Sequence, residues 1–198
     1  AAFYANCMKA GVTPARCGDL SRIRALGSTG SPLSAEVQQW GTRFMAEAGV
    51  DGRAQGRSDG IWWSNISGGT DFAGAFIGGN RELPQTPGKM QCRMLGAAVE
   101  AWNETGQPVI GAVGELVCTQ PIPSMPLFLW GDDSGARYLA SYFDMYPPGH
   151  GRQPGGGDAG PDAGAVWRHG DWLKIDAGDK GGCVIYGRSD ATINRHGL

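Results

Sequence analysis

The chain is poor in the residues that most often announce a function. It has three histidines, and His150, His169 and His196 share no metal-ligand spacing and no neighbouring cysteine motif. Only four of its 17 basic residues are lysines. No apolar run approaches the ~18 residues of a membrane helix. There is no basic-then-apolar leader at the start. The five cysteines, Cys7, Cys17, Cys92, Cys118 and Cys183, are odd in number and never form CxxC. A disulfide framework or zinc site is therefore not expected, and reduced thiols in a cytoplasmic protein are. With 19 acidic residues against 17 basic, the net charge of −2 lacks the basic excess of a nucleic-acid coat. No nucleic-acid or membrane partner is expected. Asn65-Ile66-Ser67 matches the glycosylation pattern and is read as chance in such a chain.

Glycine is abundant, at 34 of 198 residues, without a collagen period. Hydrophobic residues make up 41%, enough for a core. Neither end has a natural start or stop, so the chain is expected to be a slice of a longer protein. Residues 1–11 read as a helix tail closed by Gly11. Ile23 to Leu26 reads as a short buried strand running into Gly27-Ser28-Thr29-Gly30-Ser31-Pro32. A helix over 34–48 follows, with Val37, Trp40, Phe44 and Ala48 on one face, Ser34 as N-cap and Gly49 as stop. A strand at 61–66 leads to a small-residue turn, Ser67-Gly68-Gly69-Thr70. Beyond 78, short strands separated by turn dipeptides suit a small antiparallel sheet or barrel. Ala98 to Trp102, ending at Asn103-Glu104-Thr105-Gly106, reads as a hairpin. Glu115 to Cys118, 171–176 and 183–187 are further strands. Residues 148–164, rich in Pro, Gly and Asp, are expected to be a flexible inserted loop.

Several motifs admit a ligand. The turn at 27–32 exposes backbone N–H groups, but no lysine follows it, so it is not a triphosphate-binding Walker loop. Open backbone there can lie against a planar ring, or the turn can be an ordinary strand-to-helix connection. Trp62 and Trp63 are adjacent on a strand and must point to opposite faces, one to the core and one toward a cleft, unless both are core. Asp171, after Gly170, can accept two hydrogen bonds from a ribose diol or serve as a turn residue. Arg188 follows a strand and suits phosphate or ribose oxygens, or a surface ion pair.

Taken in order, Gly-Ser-Thr-Gly-Ser-Pro, Ser-Gly-Gly-Thr-Asp, His-Gly-Asp and Gly-Arg-Ser-Asp-Ala-Thr-Ile-Asn resemble the adenylate-forming acyl-CoA synthetases. Leu95-Gly96 through Asn103, Gly114 through Thr119 and Pro121 through Pro126 resemble the acetoacetyl-CoA synthetase branch. The resemblance spans all but 148–164. It implies a mixed α/β fold belonging to a large N-terminal domain. Residues 1–78 would supply part of a parallel-sheet α/β subdomain. Residues 79–190 would supply a distorted antiparallel β-barrel, and 191–198 the start of a hinge and C-terminal domain. The nucleotide site would lie where the first two portions meet.

The resemblance further implies an enzyme that joins acetoacetate to ATP, giving acyl-adenylate and pyrophosphate, before coenzyme A displaces AMP. Its small molecules would be ATP or AMP, Mg2+, acetoacetate and CoA. Gly30, Ser31 and Pro32 resemble the turn against adenine. Trp62, Trp63, Ser64 and Asn65 resemble the opposite wall, with Trp63 near the acyl pocket. Asp171 resembles the ribose carboxylate, Arg188 the nucleotide arginine and Asp190 the hinge. Ile66 stands where many relatives carry a glutamate that serves magnesium, leaving Asp71 as the nearby carboxylate. The family's phosphate loop and its distal catalytic lysine have no counterpart in these 198 residues, so no catalytic residue is assigned and the chain alone is expected to be inactive. Two alternatives remain: a synthetase for another short acid such as acetate, propionate or a hydroxy acid, or a non-catalytic AMP- or ATP-binding module.

Overall fold

The computed structural model describes residues 1–149, 164–178 and 182–190. Most of the expected loop at 148–164, His150, and the expected hinge segment 191–198 lie outside the described residues. The chain forms two compact units that interleave along the sequence. One comprises Ala1–Gly69, Ala75–Met94 and Gly178–Val184; the other comprises Thr70–Gly74, Leu95–Ala177 and Ile185–Leu198. The chain passes between the units at 69/70, 74/75, 94/95, 177/178 and 184/185.

The first unit begins with α1 (Ala2–Lys9), followed after Gly11 by a short 3-10 turn, Pro14–Arg16. Ala1, Tyr4, Ala5 and Met8 recur at helical spacing and pack on the unit's core. β1 (Ala25–Ser28) begins two residues later than the expected strand. The Arg24 guanidinium turns back onto the Ser21 and Ile23 carbonyls, which keeps the preceding stretch in a turn. β1 pairs in parallel with β2 (Trp62–Asn65), register Ala25 with Trp62 through Ser28 with Asn65. Between them runs α2 (Ala35–Glu47), the crossover that a parallel pair requires. The Ser34 hydroxyl accepts from the Val37 amide at 3.3 Å, so the expected N-cap is formed.

The buried face of α2 differs from the apolar stripe. Val37, Gln38, Gly41 and Met45 are buried, whereas Trp40 and Phe44 lie on the flank with rings 5.2 Å apart. The cause is Trp63, which is 1% exposed and occupies the space above Gly41. A Cβ on Gly41 would meet the indole edge at 2.6 Å. The indole N–H donates to Thr42 Oγ1 at 3.0 Å, and Tyr4 packs edge-on at 5.0 Å. A residue without a side chain therefore sets which face of the helix turns inward. Leu33, Val37, Met45, Val50, Ile61 and Trp63 complete this core.

The expected turn at 67–69 is instead β3 (Ser67–Gly69), beside β4 (Gly74–Gly78) and β5 (Cys92–Arg93) in a three-stranded sheet. Small residues there carry ladder bonds rather than reverse the chain.

The second unit is built on a sheet ordered β6 (Val99–Trp102), β7 (Val113–Cys118), β8 (Trp167–Ile175), β9 (Cys183–Arg188). Among the described residues this is an open four-stranded sheet, one of the two forms the turn spacing suits, and not the closed barrel that the resemblance implies. β6 and β7 pair antiparallel, Val99 with Cys118 through Trp102 with Glu115. Asn103 does form a turn: its Oδ1 accepts from the Thr105 and Gln107 amides. The helix α3 (Ala136–Tyr142) had no sequence signal. The Asp132 carboxylate accepts from the Arg137 and Tyr138 amides, capping its start. Tyr142 then stacks on Trp167 with centroids 3.8 Å apart and planes at 13°. All five cysteines are free thiols. No helix of the described residues is long and apolar enough to cross a membrane.

Gly41→Ala separates the two effects that meet in α2. Helix propensity alone favours alanine by ~1 kcal/mol, while the buried indole leaves no room for the methyl group. The substitution is expected to destabilise the chain by about 1–3 kcal/mol in urea unfolding. A stabilised variant would show that Trp63 yields.

Candidate functional site

Two clusters hold the residues singled out by the motifs, one in each unit. The first lies at the carboxyl ends of the paired parallel strands. β1 ends at Ser28 and β2 at Asn65, partners in register, and the Ile66 amide continues the ladder to the Ser28 carbonyl at 2.9 Å. Gly30, Ser31 and Pro32 follow β1 directly and are exposed. Asn65 is 7% exposed, and its side-chain amide donates to Gln38 Oε1 at 3.2 Å. The same Gln38 oxygen takes the Gly88 amide at 2.9 Å. Ser28 Oγ and Asn65 Oδ1 are buried without a hydrogen-bond partner among the described residues. Two unsatisfied polar atoms at one strand end are costly unless something else meets them. The burial of Asn65 also removes it as a glycan acceptor.

The tryptophan pair divides by strand alternation, as a pleat requires. Trp63 is the core member, and its indole surface is taken up by Tyr4, Gly41 and Thr42. Trp62 is half-buried; its N–H donates to Gln91 Oε1 at 2.9 Å, and the Arg81 guanidinium lies 4.7 Å over its ring. Gln91 itself is 7% exposed and also takes the Asn80 amide. Ser64, between Trp63 and Asn65 on the strand, is half-buried.

The second cluster rests on an irregularity in β8. Glu115 faces Trp172 and Val117 faces Arg168, so a two-residue step on β7 spans a four-residue step on β8. His169-Gly170-Asp171 on β8 therefore stand against Leu116 alone on β7, a surplus of two. Gly170 takes φ +81°, a conformation that L side chains rarely adopt. A Cβ there would meet Arg188 Nη2 at 2.7 Å and Asp190 Oδ2 at 2.8 Å. Asp171, left open between a ribose carboxylate and a turn residue and read as the start of a strand at 171–176, lies inside β8, on this bulge.

Asp171 is 8% exposed. Arg188 Nη1 lies 3.7 Å from its Oδ1, and His169 Nε2 lies 3.7 Å from its Oδ2. Burial raises the Asp171 carboxyl above its ordinary value, Arg188 opposes this, and the charge of Asp190 adds to it. Arg188 grips Asp190 in a fork, Nε donating to Oδ1 at 2.8 Å and Nη2 to Oδ2. That hydrogen bonding lowers the Asp190 carboxyl and raises the guanidinium. Tyr142 donates to Asp71, and burial first, then Asp71, pushes the phenol up to about 12. Asp71, the carboxylate nearest Ile66 in sequence, is thereby engaged.

Sequence reasoning did not single out Glu115, Arg168, Ser189 or Tyr142 as contributors to this cluster. Glu115 stood inside a resemblance motif, but a carboxylate in an apolar strand gives no sign of what it holds. Tyr142 had no signal at all.

No protein-family model matches the chain. Over 190 residues it is 42% identical to an acetoacetyl-coenzyme A synthetase of Rhizobium meliloti (strain 1021), covering 96% of this chain and 24% of that protein. It is 36% identical to the Gallus gallus acetoacetyl-CoA synthetase over 185 residues, 93% of this chain and 23% of that one. The solved structure of an acetoacetyl-CoA synthetase from Streptomyces lividans superposes with a TM-score of 0.74 at 40% identity, covering 98% of this chain and 26% of that chain. The chain is homologous, along almost its whole length, to one segment of the acetoacetyl-CoA synthetases. It spans about a quarter of the length of the curated relatives it matches.

The raised Asp171 carboxyl fixes the sign of a stability effect. A group whose folded pKa exceeds its unfolded value favours the fold below the unfolded pKa, and that contribution is lost as pH rises through the folded one. The charged form therefore opposes folding at neutral pH. Asp171→Asn is expected to raise the urea midpoint at pH 7 and to leave it unchanged near ~pH 3, where the carboxyl is protonated folded or unfolded. A lower midpoint at pH 7 would mean that the Arg188 contact outweighs burial.

Proposed function

We propose that this chain supplies nucleotide-binding walls to an AMP-forming acid–thiol ligase that activates acetoacetate. In the proposed reaction an acetoacetate carboxylate oxygen attacks the α-phosphorus of ATP and pyrophosphate leaves. The CoA thiolate then attacks the acyl carbonyl, and AMP leaves with its phosphate oxygen. The observation that carries this reading is the Asp171–Arg188 pair on the bulge. A buried carboxylate offers two acceptor oxygens for a ribose diol, and a guanidinium 3.7 Å away offers donors to phosphate or ribose oxygen. Homology to acetoacetyl-CoA synthetases supports the acyl substrate, since nothing in Asp171 or Arg188 distinguishes one short acid from another.

The residues after β1 and along β2 fit a flat ring and its polar edge. Gly30, Ser31 and Pro32 present open backbone, and Ser28 and Asn65 hold unspent hydrogen-bonding capacity beside them. Trp62 is the half-buried member of the tryptophan pair, with its N–H on Gln91 and Arg81 over its ring; Trp63 acts from beneath, by fixing β2 on α2. Magnesium would enter with ATP. Among the described residues no group of three His, Cys, Asp or Glu side chains could hold it, and Asp71 is held by Tyr142, so no step is assigned to the ion through this chain.

Binding and orientation are what these residues contribute. Adenylation also needs charge clamped at the transferring phosphoryl group and the reactants held in line. Among the assigned residues Arg188 is the cation, and Asp190 already occupies its fork. The 198-residue chain is expected to release no pyrophosphate from ATP and acetoacetate. It is also expected to bind AMP weakly, with Kd on the order of 1 mM, about −4 kcal/mol. Pyrophosphate release at a rate comparable to a synthetase would overturn the reading of this chain as a binding segment. Calorimetric AMP binding in the micromolar range would favour the alternative, a self-sufficient nucleotide-binding module.

A further inference from the structure

Glu115 touches both strands that carry the nucleotide residues, although no motif marks it for nucleotide contact. It lies on β7 and is 4% exposed. Its Oε1 accepts the Gly170 amide at 3.1 Å and the Ser189 hydroxyl at 2.8 Å, and Arg168 Nε lies 3.4 Å from the same oxygen. Gly170 directly precedes Asp171. Ser189 directly follows Arg188, and its amide donates to the Gly170 carbonyl at 2.8 Å. One buried carboxylate oxygen thus reaches both arms of the cluster.

The need for such a hold follows from the bulge. Surplus residues on β8 have no ladder partners on β7, so on that side of the strand backbone pairing does not fix the segment that carries Asp171. A buried carboxylate is costly to place and is tolerated only when paired and hydrogen-bonded. Glu115 has both, from Arg168, Gly170 and Ser189. The forces on Asp171 make the hold consequential. Burial disfavours its charge, and Arg188 has a competing carboxylate in Asp190. A bulge free to relax would let Asp171 turn toward water and leave Arg188 wholly to Asp190.

The geometry points to Glu115 as a positioning residue of the nucleotide site: its carboxylate holds Gly170 and Ser189 and so sets the separation of Asp171 and Arg188. This inference rests on the nucleotide reading above, and Glu115 itself touches no ligand in it.

The test is a carbon-13 NMR titration of the Asp171 carboxyl in the 198-residue chain without nucleotide, comparing wild type, Glu115→Gln and Ser189→Ala. His169, Arg188 and Asp190 face that carboxyl and are common to all three proteins. In wild type Asp171 is expected to titrate above the ordinary carboxylate range. In E115Q it is expected to fall back toward that range. S189A removes one contact and leaves the buried ion pair in place, so it shifts the midpoint the same way by less. An Asp171 midpoint unmoved in both variants overturns the proposal. If E115Q leaves Arg168 uncompensated and does not fold, S189A decides alone: a shift supports the proposal and no shift overturns it. AMP binding, measured in parallel, is expected to weaken roughly 10-fold in E115Q, as loss of a supporting shell commonly does. A wild-type chain that binds no AMP removes the nucleotide reading, while the titration still decides whether Glu115 sets Asp171.

Discussion

The second unit depends on a mismatch of two residues between β7 and β8. Antiparallel strands normally match residue for residue, and every side chain then faces a side dictated by the pleat. Here His169-Gly170-Asp171 of β8 stand against Leu116 alone on β7. The excess interrupts the ladder to β7 beside Asp171, and the Glu115 carboxylate takes the Gly170 amide there. The left-handed conformation of Gly170 and its missing Cβ let Arg188 and Asp190 close over the bulge. A regular strand of the same composition would assemble none of this.

Much of the first unit was legible in the sequence because its signals are local. Ser34 caps α2 as its position suggests, Gly49 follows the helix end, and Gly11 follows α1. The start of β1 was misjudged because Arg24 is satisfied by carbonyls behind it, which hydrophobic pattern cannot reveal. The inward face of α2 was misjudged for a related reason. Counting apolar residues puts Trp40 and Phe44 inside, but Gly41 is where Trp63 docks, twenty-two positions along the chain. Likewise the glycines and serine of β3 looked like a turn because residues of that kind favour turns when no sheet edge is offered to them.

The candidate site was legible as a set of residues and illegible as a machine. Asp171 and Arg188 were named by motif order, and the structure brings them to 3.7 Å. Ser28 and Asn65 end paired strands with buried atoms unspent. What motif order hides is support. Glu115 and Ser189 act by hydrogen bonds to backbone and hydroxyl, Tyr142 by stacking on Trp167, and neither interaction leaves a periodic trace. The turns left sheet and barrel both open, because turns fix strand number far better than closure, and the barrel came from the resemblance alone.

The interleaving of the two units bears on how the chain reaches its fold. The first unit includes Gly178–Val184, where Met90 and Cys183 exchange backbone hydrogen bonds across more than ninety residues. It cannot be finished until nearly all of the second unit's chain has been made. Such long loops must close before their contacts repay the entropy lost, which slows assembly. During synthesis the β3–β4–β5 region therefore waits for a segment that leaves the ribosome much later. The interval in which it stays incomplete is set by chain connectivity, not by the strength of any contact in the finished core.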